Sequence, residues 1–135
     1  MKNNVLAAAL VLGCVALPAH AQSLAAGTKW VNERGSELTI TAIDGTTAAL
    51  TGSYFTLAPI PCKEIPHPVS GYVAADRIVF SVLWRSAKID CQAATALSGI
   101  LENGVIAMDW ETIFFNPQQN KSVRAKGSDV YSPRK

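Results

Sequence analysis

The chain has 135 residues, of which 49% are hydrophobic and 16% charged, and it carries a net charge of +2. That is the length of one domain rather than two, and the composition excludes a disordered tail. Acidic and basic residues are scattered, so no basic stripe exists to follow a phosphate backbone, and nucleic acid is not an expected partner.

The N-terminus reads as an export signal. Lys2 supplies positive charge, Val5 to Leu17 is apolar, and Ala19-His20-Ala21 is a small-x-small cleavage site that would leave Gln22 first. The apolar run is too short and wrongly flanked to span a membrane. Gly13-Cys14 leaves a lipoprotein reading open, although lipidation there would cut the apolar run in half. The expected organisation is a signal peptide, 1–21, and one exported domain, 22–135, secreted or periplasmic. Nothing downstream reads as transmembrane.

Export also bears on the cysteines. Cys14 leaves with the signal, and Cys62 and Cys91 remain as one pair in an oxidising compartment, where a disulfide is the default. It would close a loop of about thirty residues, worth roughly 3–4 kcal/mol in the chain-entropy model. Neither Cys nor His recurs at metal-ligand spacing. His67, between Pro66 and Pro68, reads as an exposed loop residue.

Strand-like runs then follow one another with no helical period: Thr28–Asn32, Glu37–Ile43, Ala48–Thr56, Val69–Ala74, Arg77–Arg85, Thr95–Leu101, Val105–Phe115 and Lys121–Tyr131. The first turn, around Gly35, is flanked by Asn32 and Ser36, which can point at the same open end or simply form the turn. Asp44-Gly45, Ala75-Asp76 and Asn103-Gly104 read as tight hairpin turns. The proline-rich Leu57–Pro68 stretch holds Cys62, and the Ser86–Gln92 loop holds Cys91, so a disulfide would tie two loops at one end. Residues after Tyr131 read as a frayed tail. Eight consecutive antiparallel strands with short links make this an all-β chain, an eight-stranded antiparallel up-and-down β-barrel, which can enclose one small ligand.

Side chains alternate between the two faces of a strand, which assigns inward residues. Phe80, Val82 and Trp84 share one face; so do Ile106, Met108 and Trp110; so do Leu50, Gly52, Tyr54 and Thr56; and so do Thr95, Leu97 and Leu101. Val79, Leu83, Ile100 and Ile113 fall outward and provide an apolar exterior. An unpaired buried hydroxyl costs roughly 1–3 kcal/mol, so the inward polar groups need one another, water or a polar ligand.

The order Trp30-Val31-Asn32-Glu33-Arg34-Gly35-Ser36, Leu50-Thr51-Gly52-Ser53-Tyr54, Gly71-Tyr72, Phe80-Ser81-Val82-Leu83-Trp84, Ala94-Thr95-Ala96-Leu97-Ser98-Gly99, Asp109-Trp110 and Gly127-Ser128-Asp129-Val130-Tyr131 resembles the avidin and streptavidin family. The resemblance covers nearly all of the chain after residue 21. Cys62 and Cys91 lie where the short-chain bacterial dimeric avidins carry a disulfide. Like those relatives, the chain has no tryptophan near Gln118–Ser122 to insert into a neighbouring subunit. The resemblance therefore implies a barrel that binds biotin, as ligand and not as cofactor, and that favours a homodimer.

By the same resemblance, Asn32, Ser36 and Tyr54 donate to the ureido oxygen of biotin, and Asp129 accepts from one ureido N–H. Thr56 accepts from the other, Thr95 meets the ring sulfur, and Trp84 and Trp110 sandwich the bicycle. Leu97 stands where the family usually has an aromatic wall, Ala93 where a Ser often bonds the valerate carboxylate, and Thr112 where Leu is common. Each departure is worth on the order of 1–2 kcal/mol, which implies binding that is tight yet weaker, or less tail-dependent, than in the strongest members. Backbone N–H groups of Leu57–Ile60 are the alternative holders of the tail.

No catalysis is expected. His67 is alone once His20 has left, no pair of inward carboxylates suits glycoside chemistry, and no glycine loop cradles phosphate. Two other readings stay open: an avidin-like or lipocalin-like barrel for another small ligand, and a barrel filled by its own side chains. The polar set Asn32, Ser36, Tyr54 and Asp129 argues against a greasy ligand.

Overall fold

The computed structural model describes residues 23–87 and 91–134; the expected signal peptide and its cleavage site lie outside them. Strands β1 (Lys29–Asn32), β2 (Glu37–Ile43), β3 (Ala49–Phe55), β4 (His67–Ala74), β5 (Arg77–Trp84), β6 (Ala93–Glu102), β7 (Val105–Asn116) and β8 (Lys121–Pro133) pair in sequence order. All pairs are antiparallel, and β8 returns to β1, so the sheet is a closed eight-stranded barrel. Among the described residues no helix is long and apolar enough to cross a membrane.

Alternation along the strands decides what faces in. In β5, Ile78, Phe80, Val82 and Trp84 are buried while Val79 and Leu83 are exposed. Trp30, Ile40, Leu50, Phe80 and Ile106 are almost fully excluded from solvent and fill the barrel interior; their burial is the main apolar driving force. Asn103 and Gly104, with φ of 51° and 79°, form the two-residue turn between Glu102 and Val105. The β2–β3 turn is longer than the tight Asp44-Gly45 turn the sequence suggests. Asp44 Oδ1 accepts from the N–H groups of Thr46 and Thr47, and Asp44 N–H closes the loop onto Ala49 O.

Two expectations are corrected. Ser132 and Pro133 are not a frayed tail: they pair with Val31 and Trp30 and help to close the barrel. Arg134 N–H then bonds Lys29 O at 2.9 Å, and the Arg134 guanidinium bonds the Glu37 carboxylate at 2.5 Å. A sequence-local reading cannot see this, because the partners lie about a hundred residues away. His67 is the first residue of β4 and is buried, not exposed. Its Nδ1 lies 2.7 Å from Ile65 O and its Nε2 3.0 Å from Arg85 O, and its ring packs edge-on against Trp84.

The up-and-down order sends the β1–β2, β3–β4, β5–β6 and β7–β8 connections to one end. At that end Cys62 and Cys91 form a disulfide with their Cα atoms 5.4 Å apart, tying the β3–β4 connection to the β5–β6 connection.

Candidate ligand-binding site

A cavity of about 660 Å³ opens among those connections, a size suited to one small ligand. It is lined by Asn32, Ser36, Tyr54, Thr56, Trp84, Thr95, Leu97, Trp110 and Asp129, so all nine residues singled out from the sequence meet in one place. Seven of the eight strands, or their immediate ends, contribute.

Asn32 ends β1, and its side-chain Oδ1 accepts from the backbone N–H groups of Arg34 (3.0 Å) and Ser36 (2.8 Å). This is the bond pattern of an Asx turn, and it is possible because Gly35 takes φ +85°. With Oδ1 spent, the amide is oriented: its Nδ2 is the free donor, and it reaches Asp129 Oδ2 at 3.1 Å. Ser36 Oγ accepts from Leu57 N–H at 2.9 Å and lies 3.3 Å from Thr56 Oγ1, which accepts from Ala58 N–H. Each hydroxyl is pinned by a backbone donor, and their mutual contact uses only one of the two protons: with Thr56 donating to Ser36, the Ser36 proton is left to give.

Tyr54 does not reach across to Asp129. Its hydroxyl sits 2.7 Å from that of Tyr131, and both are buried. Burial pushes the Tyr54 phenol above its ordinary pKa, with the Tyr131 hydrogen bond opposing the rise; burial pushes Tyr131 far higher. Asp129 carries a second partner that sequence reading passed over: Arg34, whose guanidinium is 2.6 Å from Oδ1.

The walls follow from cross-strand register. Trp84, Ala93 and Phe114 are consecutive partners across β5, β6 and β7; so are Phe80, Leu97 and Trp110. Trp110 faces Gly127 on β8, where a Cβ would fall 2.5 Å from the indole, so only glycine leaves room for that ring. Trp84 Nε1 donates to Thr95 Oγ1 at 2.7 Å, and Thr95 lies 2.8 Å from Thr112 Oγ1. Thr112 is thus part of a bonded chain rather than a blemish in an apolar wall. Trp110 Nε1 is buried with no hydrogen-bond partner among the described residues.

At the mouth, the N–H groups of Leu57, Ala58 and Ile60 are taken by Ser36 Oγ, Thr56 Oγ1 and Ala58 O, and Pro59 and Pro61 have none. The backbone donors expected there to hold an anionic tail are therefore already engaged. Ile60, Phe114, Phe115 and Pro117 make the rim apolar. Phe114 was legible in principle, because it continues the inward row of Trp110 and Thr112. Arg34 was not, because nothing local aims a turn residue. His67 and both cysteines place ligand atoms within 4.8 Å of one another; the sulfurs are bonded to each other and the imidazole nitrogens face carbonyls, so neither is free for a metal.

A model of the avidin family matches residues 20–133. The chain belongs to the avidin family. Avidins are non-enzymatic proteins that take biotin as a ligand and need no cofactor. Hoefavidin, from Hoeflea phototrophica, is 33% identical over 104 residues, 69% of this chain and 63% of its own length, so that match spans less than two thirds of the relative. Afifavidin, from Afifella pfennigii, is 30% identical over 90% of this chain and 85% of its own length. Among solved structures, apo shwanavidin superposes with a TM-score of 0.72 at 35% identity, over 84% of this chain and 100% of that one. A rhizavidin–biotin complex superposes with a TM-score of 0.72 at 25% identity, over 84% and 98%.

Proposed function

We propose that this avidin binds biotin, with the ureido oxygen received by Asn32, Ser36 and Tyr54 and the ureido N–H groups by Asp129 and Thr56. The observation that carries the reading is the orientation of Asn32. Two backbone N–H groups hold its carbonyl, so its amide donates into a cavity where hydroxyl donors and a carboxylate converge. Preorganised donors in a dry site need not reorient on binding, and a charged acceptor strengthens them from the other side. Trp84 and Trp110 supply the apolar walls, and Thr95 the partner for the ring sulfur.

Affinity below that of the strongest avidins is supported by Leu97, which offers no flat aromatic face, and by Arg34, which already occupies Asp129. The engaged backbone donors at Leu57–Ile60 and the hydroxyl-free Ala93 support weak dependence on the tail carboxylate. Export is supported by the Cys62–Cys91 disulfide, which persists in oxidising compartments; cleavage before Gln22 rests on the Ala19-His20-Ala21 pattern. Homodimerisation is supported by exposed Tyr72, Val79, Ile100 and Val130 on the outer wall.

Calorimetry and tryptophan fluorescence of the chain from residue 22 onward test this. Biotin should bind one per barrel and change the emission of Trp84 and Trp110. Biotin amide should bind within about threefold of the free acid, since a missing net hydrogen bond to a charged group would be worth tenfold or more. Absence of heat, fluorescence change and retention on biotin-agarose would refute the reading. A large loss with the amide would show that the carboxylate has a donor after all.

A further inference from the structure

We infer that Tyr131 is a positioning residue for the ligand: its hydroxyl donates to Tyr54 and so commits the Tyr54 proton to the cavity. The inference rests on the biotin reading for its ligand, but the direction of the hydrogen bond stands on the structure of the barrel alone. Tyr54 lines the cavity, and Tyr131 does not. Tyr131 is fully excluded from solvent, and its hydroxyl lies 2.7 Å from that of Tyr54.

A buried hydroxyl must give its proton to some acceptor. The Asn32 side chain, which also bears on Tyr131, cannot take it, because Asn32 Oδ1 is spent on the N–H groups of Arg34 and Ser36. Asn32 can only donate. The remaining acceptor is Tyr54 Oη. Tyr54, having accepted there, has its own proton left, with the Ser36 hydroxyl beside it and the cavity that both residues line in front of it. The result is a directed chain, Tyr131 to Tyr54 to the ligand's carbonyl oxygen, in which each bond polarises the next. The charged groups bearing on Tyr54 are Asp129 and Arg34, which act on it in opposite senses, so neither dictates the direction.

Two measurements test this. The first is a double-mutant cycle for biotin with Tyr54→Phe, Tyr131→Phe and both. Tyr131→Phe alone should weaken binding about three- to tenfold, with an unchanged melting transition marking a folded barrel. In the Tyr54→Phe background it should have no further effect. Equal losses in both backgrounds, or none in either, would overturn the inference. The second needs no ligand: phenolate absorbance is followed with pH in a Tyr72→Phe protein, so that only the two buried phenols contribute. Adding Tyr131→Phe should move the first ionisation upward, because Tyr54 loses the donor that stabilises its phenolate. A downward shift, or none, would mean that Tyr54 is the donor and would overturn the inference. An upward shift in a protein that ignores biotin would instead keep the hydrogen-bond direction and reject the ligand.

Discussion

Arg34 and Asn32 stand two residues apart in one turn and pull on the same carboxylate. Asn32 holds Asp129 Oδ2 and Arg34 holds Oδ1, so both oxygens have donors before any ligand arrives. The Arg34 side chain is half exposed, which screens the pair and limits its net worth to about 1 kcal/mol or less. Its effect on a ligand N–H competing for Asp129 is therefore modest and unfavourable. Arg34→Leu should slow biotin release about two- to fivefold, read by chase of a labelled ligand, and the difference from wild type should shrink as salt screens the pair. Faster release would mean that the guanidinium serves to aim the carboxylate.

Among the elements, the β1–β8 seam is as short as the β1–β2 pairing and shorter than the rest, three residue pairs from Trp30↔Pro133 to Asn32↔Tyr131. It brings Asn32 beside Tyr131, and so the site depends on it. Glu37, buried at the start of β2, reinforces the seam through Lys29 at 3.3 Å and Arg134 at 2.5 Å. Burial opposes its ionisation most strongly, yet the hydrogen bonds from Arg134, Lys29 and Thr39 together win, and its pKa falls below the ordinary glutamate value. A depressed folded pKa gives stability that is fully present above the unfolded value and is lost as pH falls through the folded one. Glu37→Gln should therefore destabilise the barrel at neutral pH by about 1 kcal/mol, and the gap should close at acid pH, as denaturant unfolding across pH would show. A gap independent of pH would locate the effect in packing instead.

At the scale of the whole molecule, the outer wall is the feature a lone barrel does not explain. Tyr72, Val79, Ile100 and Val130 are each about half exposed, on β4, β5, β6 and β8, with Ala107 of β7 between the last two, and such a run of apolar residues makes a patch of the kind that marks an interface. Under the homodimer proposed above, Ile100→Glu should shift the mass in solution from dimer to monomer, measured by light scattering, while leaving the cavity and its fluorescence response in place. An unchanged mass would move the interface elsewhere.

Eight strands, their order and their inward faces were legible in the amino-acid sequence because the pleat imposes a period of two and turns carry recognisable residues. Trp84, Trp110, Tyr54 and Thr95 could be aimed inward on that basis alone. The pairing of Tyr54 with Tyr131, the grip of Arg34 on Asp129, the burial of His67 and the closure of the barrel by Ser132 and Pro133 were not legible. Each joins residues set by barrel closure and shear, whereas a local period reports only which face a side chain takes, never which distant group it meets there.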